Sequence, residues 1–123
     1  MVADDPDLIQ FIGAYIKSVW ALELLLLLRS DPNRPWQADA LVRELRASTS
    51  LVQDNLSLFE RSGLAVREGM AWRFAPASAR LAELTSRLAE AYGERPMATI
   101  GLISRASPVQ SLADAFKIKK DEP

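Results

Sequence analysis

The side chains of this sequence that could take part in chemistry are hydroxyls, amides, carboxylates, guanidinium groups and amines, because the 123 residues include no cysteine and no histidine. This excludes disulfides, thiolate nucleophiles, histidine bases and the commonest zinc and haem ligands. Neither a glycine-rich phosphate loop nor a recognisable paired-carboxylate motif occurs. Asp4, Asp5 and Asp7 cluster near the N-terminus without a second group to complete a site. We therefore predict that the protein is not an enzyme and has no metal site or cofactor.

Charge and composition further restrict the functional classes to which the protein can belong. Lysine and arginine together number 15 and aspartate and glutamate 16, which gives a net charge of −1 and a pI of about 5.5. A nucleic-acid-binding protein usually carries a basic balance or a basic face, so any such face must be local here. The hydrophobic content of 49% is typical of a globular protein, and the length predicts a single domain over residues 1–123.

The N-terminal sequence predicts a cytoplasmic protein. Residues 1–7 are acidic, whereas a secretory signal begins with positive charge. The apolar run Ala21–Leu28 contains Glu23 and is followed by Arg29. It is shorter than the roughly 20 apolar residues that a transmembrane helix needs, so we expect no membrane span.

The segment between residues 38 and 76 has the clearest pattern of secondary structure. A short amphipathic helix is predicted over Asp39–Arg46, and a turn at Ala47–Thr49 offers Ser48 or Thr49 as the N-cap of a second helix. In that second helix three apolar residues recur at i, i+4 and i+7, and a glycine follows its end. Two β-prone runs, Leu64–Glu68 and Ala71–Ala75, flank Gly69 and Met70 and predict a hairpin. The apolar residues of the second helix are Val52, Leu56 and Phe59, and the glycine is Gly63.

This segment resembles the winged helix-turn-helix superfamily of bacterial transcriptional regulators, such as the MarR-like and PadR-like families. The resemblance covers residues 19 to 84 approximately and implies a mainly α fold with a small β-hairpin wing, a long N-terminal helix and extra C-terminal helices. It implies a bacterial regulator that binds DNA as a homodimer, with the second helix in the major groove. The residues that carry it are Leu41, Val42 and Leu45, then Ser50 to Val52, then Leu56, Phe59, Glu60, Gly63 and Leu64, and finally Trp72 to Phe74.

The resemblance also implies a set of DNA-binding residues. Hydroxyl and amide groups of the second helix would contact base edges or phosphates, and arginines of the turn and wing would contact phosphates. The departure is Asp54, an acidic residue where such regulators often have a basic one. An alternative is therefore a winged helix that contacts another protein and does not bind DNA. The candidate DNA-binding residues are Arg46, Ser48, Thr49, Ser50, Gln53, Asp54, Ser57, Arg67 and Arg73.

The N-terminal region suggests a second interface. One long helix is predicted over Asp7–Arg29, and it is apolar over most of its circumference. We expect the N-terminal helix and residues 97–123 to form a homodimer interface with another copy of the chain. Alternatively, the last helices of the same chain cover the apolar surface of the N-terminal helix. Two further helices are predicted, over Ala77–Tyr92 and Pro108–Lys117. The sequence does not specify a small-molecule effector. The candidate dimerisation residues are Leu8, Ile12, Tyr15, Val19, Trp20 and Phe116.

Overall fold

The computed structural model describes residues 5–105, which form six helices and three short strands. In chain order these are α1 (Pro6–Tyr15), α2 (Val19–Ser30), β1 (Trp36–Gln37), α3 (Ala38–Leu45), α4 (Thr49–Arg61), β2 (Ala65–Glu68), β3 (Ala71–Phe74), α5 (Ala79–Glu94) and α6 (Pro96–Arg105). The strands form one antiparallel sheet in the order β1-β3-β2. The predicted class, mainly helical with a small β-hairpin, is confirmed.

The N-terminal region is two helices, so the prediction of one long helix over Asp7–Arg29 was wrong. The axes of α1 and α2 are bent by 102° at the break. Ser18 has an extended backbone, and its hydroxyl accepts a hydrogen bond of 3.1 Å from the Ala21 amide, which makes it the N-cap of α2. The break lets both helices bury their apolar sides in one core. Leu8 and Ile12 of α1 and Leu22 and Leu25 of α2 are all buried there.

Helices α3 and α4 follow the predicted pattern closely. α3 is followed by its C-cap residue Arg46, whose backbone is left-handed with φ 55° and ψ 40°. Of the two N-cap residues that the sequence offered for α4, Ser48 has this role, since its hydroxyl accepts from the Leu51 amide at 3.2 Å. The apolar stripe of α4 is buried, as expected, and consists of Val52, Leu56 and Phe59.

Glycines shape the connection from α4 into the sheet and the turn between the strands. Gly63 follows α4 with a φ of +82°, and a Cβ atom there would lie 3.1 Å from the Cβ of Ala77. β2 and β3 pair around Gly69 and Met70, which confirms the predicted hairpin. β1 adds a third strand by pairing Trp36 with Trp72.

Helices α5 and α6 pack against α1. α5 confirms the helix predicted over Ala77–Tyr92, and α6 adds a further helix over Pro96–Arg105. α6 contacts both α1 and α5, and its Leu102 and Ile103 enter the core. Later helices of the same chain therefore cover much of the first. The helix predicted over Pro108–Lys117 lies outside the described residues.

Within residues 5–105 no single helix is long and apolar enough to cross a membrane. Only α1 and α2 taken together reach the required length and hydropathy, and the 102° bend separates them.

Candidate functional site

The outward side of α4 carries a continuous row of polar side chains, which we call the α4 stripe: Ser50, Gln53, Asp54, Ser57 and Arg61. Their spacing of three and four residues places them on one face of the helix. All five are exposed, whereas the opposite face is buried in the core. The packed side of the helix therefore holds the polar side in a fixed position.

Four residues of the stripe were predicted and Arg61 was not, and the turn before α4 contributes three more of the predicted residues. Ser48 is exposed, but its hydroxyl already accepts the capping hydrogen bond and lies 3.5 Å from the Ser50 hydroxyl. Thr49, the first residue of α4, is exposed. Arg46 is also exposed and has no carboxylate partner within residues 5–105. Arg46 and the hydroxyl of Thr49 are thus available to a ligand at this end of the helix.

The two arginines of the hairpin differ in their surroundings. Arg73 donates to the Glu68 carboxylate from Nε at 3.1 Å and from Nη2 at 2.8 Å. This contact lowers the pKa of Glu68 and raises the pKa of Arg73, mainly through the hydrogen bonds and secondarily through the opposite charges. Arg67 instead donates to the Gly69 carbonyl at 3.1 Å, and its guanidinium lies 5.2 Å from the centre of the Trp72 ring. Arg73 is thus paired with a carboxylate, whereas Arg67 has no carboxylate partner within residues 5–105.

A contact that the sequence did not reveal joins the hairpin to α4. The Trp72 indole N–H donates to the Glu60 carboxylate at 3.3 Å. In the sheet, Trp36, Trp72 and Arg67 are successive cross-strand partners and so point to one side. Arg34 stacks on the outer end of this row, with its guanidinium carbon 3.6 Å from the centre of the Trp36 ring. This hydrogen bond adds to the packing of β2 against α4, and only the strand register brings Trp72 and Glu60 together.

The combined surface of α4 and the hairpin is close to electrically neutral. Residues 46–74 carry four arginines and three carboxylates, and the Arg73–Glu68 pair cancels one of each. Glu60 is bonded to Trp72, and Asp54 makes no ion pair in the described part of the chain. Within residues 46–74, the positive charges that have no carboxylate partner are those of Arg46, Arg61 and Arg67.

The predicted dimerisation residues do not form one exposed surface in the described part of the chain. Leu8 and Ile12 are only 2% and 0% exposed inside their own chain, so they belong to its core and offer no surface to a second copy. Tyr15 and Val19 are partly buried, and Trp20 is 45% exposed. Phe116 lies outside the described residues. The homodimer stays a prediction, with Trp20 as its accessible aromatic residue.

No other constellation of chemical groups stands out between residues 5 and 105. No three acidic side chains come together there in a way that could hold a metal ion. Arg87 of α5 contacts the carboxylates of Glu83 at 2.8 Å and Asp5 at 3.4 Å, which ties α5 to the start of α1. These partly exposed ion pairs serve the packing of the helices.

Comparison of the chain with protein-family models, curated proteins and solved structures gave no match. The α4 stripe and the hairpin are therefore the features of this chain that bear on its function.

Proposed function

We propose that this chain is a winged helix-turn-helix protein that binds duplex DNA. In this proposal α3 and α4 are the helix-turn-helix, α4 enters the major groove, and the hairpin β2–β3 is the wing that contacts the phosphate backbone. The succession of these elements, with β1 pairing on β3, supports the assignment. A role in transcriptional regulation follows from the proposal as its simplest biological use.

The observation that carries the proposal is the composition of the α4 stripe. Each of its five side chains can donate or accept hydrogen bonds, and none is apolar. A helix of 13 residues is about 20 Å long and fits a major groove about 12 Å wide. A helix that docks on a protein usually presents an apolar centre instead.

The phosphate contacts in this proposal come from Arg46, Arg61 and Arg67. Arg73 contributes less than the sequence analysis expected because Glu68 holds it. Three phosphate contacts give a slope of log affinity against log salt of about −2.7 for each copy bound. Between roughly 50 and 200 mM salt this amounts to a loss of affinity of about 40-fold.

Fluorescence anisotropy with a pool of random duplexes of about 30 base pairs tests the proposal, since non-specific affinity comes from phosphate contacts. The slope, with stoichiometry measured in parallel, should fall by about 0.9 in magnitude per copy in Arg61→Ala and in Arg67→Ala. Arg80→Ala is the matched control, because Arg80 lies on α5 and pairs with Asp7 at 3.3 Å. Absence of binding at low salt would refute the proposal.

A second candidate function is a winged helix that contacts a protein. It is favoured by the near-neutral surface and by Met70, which is 78% exposed at the hairpin tip. Exposed apolar groups of this kind often anchor protein contacts. If the chain fails to bind duplexes at low salt, Met70→Ser should weaken the capture of a partner and Met97→Ser, at the start of α6, should not.

A further inference from the structure

Asp54 has an unusual place for an acidic residue on the α4 stripe. It is exposed, and it makes no hydrogen bond or ion pair through its side chain within residues 5–105. Its neighbours on the stripe, Ser50, Gln53 and Ser57, are uncharged. Arg61 lies two turns further along the helix, about 10 Å away along the axis. No ion pair in the described part of the chain therefore neutralises this carboxylate.

Duplex DNA offers a carboxylate few favourable contacts. Phosphates repel it, and so do the acceptor atoms of guanine and thymine in the major groove. The donors there are the amino groups of adenine and cytosine. In adenine the N7 acceptor lies next to the amino group, whereas cytosine presents its N4 amino group alone. Cytosine is thus the base edge to which an ionised aspartate is complementary.

Taking the proposed DNA binding as its basis, we propose that Asp54 is a specificity-determining residue that selects a cytosine. Its carboxylate accepts a hydrogen bond from the N4 amino group of that base. The same charge weakens binding to sequences that place an acceptor at this position, so Asp54 lowers non-specific affinity while it raises the preference for cytosine. The acidic residue that makes α4 a poor general DNA ligand is then the source of its selectivity.

The experiment is a selection from random duplexes with the wild type and with Asp54→Asn, followed by affinity measurements on defined duplexes. The wild-type pool should fix a cytosine at one position of each site. Changing that C·G pair to T·A replaces the amino group by a carbonyl oxygen and should weaken wild-type binding by about 5- to 100-fold. In Asp54→Ala the same base change should have little effect. Asp54→Asn should prefer adenine at this position, because an amide pairs with its N6 and N7 atoms.

Controls separate the inference from a general loss of structure or of DNA binding. Glu60→Gln removes a carboxylate from the same helix but retains an oxygen that can accept from Trp72, so it should keep the cytosine. Asp54→Ala should bind random duplexes more tightly than the wild type, which a misfolded variant would not do. Salt-dependent binding without a selected cytosine, or with one that Asp54→Asn retains, would overturn the inference and leave the proposed function standing. If the wild type binds no duplex at low salt, the proposed function fails and the inference fails with it.

Discussion

Replacement of Glu68 by glutamine should strengthen the binding of DNA by releasing Arg73. In the wild type the two side chains are joined by contacts of 2.8 and 3.1 Å to one carboxylate oxygen. Glutamine is similar in size and its amide oxygen can still accept from Arg73, but it is neutral. The guanidinium charge would therefore no longer be compensated and would be available to a phosphate. The pair is about one-third and one-half exposed, and exposed pairs contribute little to stability, so the fold should be unaffected.

The magnitude follows from the number of phosphates contacted. One more contact changes the salt slope from about −2.7 to about −3.6 per copy. Between roughly 50 and 200 mM salt the loss of affinity should then be about 150-fold in Glu68→Gln, compared with about 40-fold in the wild type and about 12-fold in Arg67→Ala. The ratio of these losses is the measured quantity.

The assay is anisotropy with random duplexes over a series of salt concentrations. Glu90→Gln is the control for the loss of one negative charge, because Glu90 is an exposed residue of α5 with no ion pair in the described chain. Arg73 lowers the pKa of Glu68 from its usual 4.5, so the carboxylate of the pair is ionised near neutral pH. The small contribution of this pair to the stability of the fold is present above pH 4.5 and is lost as the pH falls through the lowered pKa of Glu68. An unchanged slope in Glu68→Gln would refute this account of the hairpin.

Three further predictions concern residues that hold the surface in place. Arg46→Gly should stabilise the fold by about 0.5–1 kcal/mol in urea unfolding, because glycine tolerates the left-handed backbone, while the salt slope falls by about 0.9; a loss of stability would contradict it. Ser18→Ala should cost about 1 kcal/mol by removing the N-cap of α2, whereas Ser30→Ala should cost less than about 0.5 kcal/mol. Tyr92→Phe removes a 2.6 Å hydrogen bond to Glu23 that raises the pKa of Tyr92 above 10.0. The stability that this bond gives is present below pH 10.0 and lost as the pH rises through the raised value, so the variant should show a shallower alkaline decline in unfolding free energy.

The elements that local signals specify could be predicted from the sequence. The spacing of Val52, Leu56 and Phe59 predicts the buried side of α4. Gly63 and Gly69 predict the end of α4 and the hairpin turn, and both have the left-handed backbone that favours glycine. The break between α1 and α2 could not be predicted, because apolar residues continue across it and the periodicity alone favours one helix. Ser18 was the available signal, a good N-cap residue within an apolar run.

The candidate site could be predicted only in part. The sequence indicates which types of residue lie on this surface, but it does not show which side chains pair with one another. The sequence places four arginines in and around the predicted surface, and counting them all as phosphate contacts gives a salt slope of about −3.6. The strand register brings Arg73 to Glu68, which leaves three arginines and a slope of about −2.7. It also brings Trp72 to Glu60. These contacts depend on which face of a strand each side chain occupies, and a shift of one residue in the register would exchange them. A wild-type slope near the smaller value would therefore support the pairing, and one near the larger value would mean that DNA opens the Arg73–Glu68 pair.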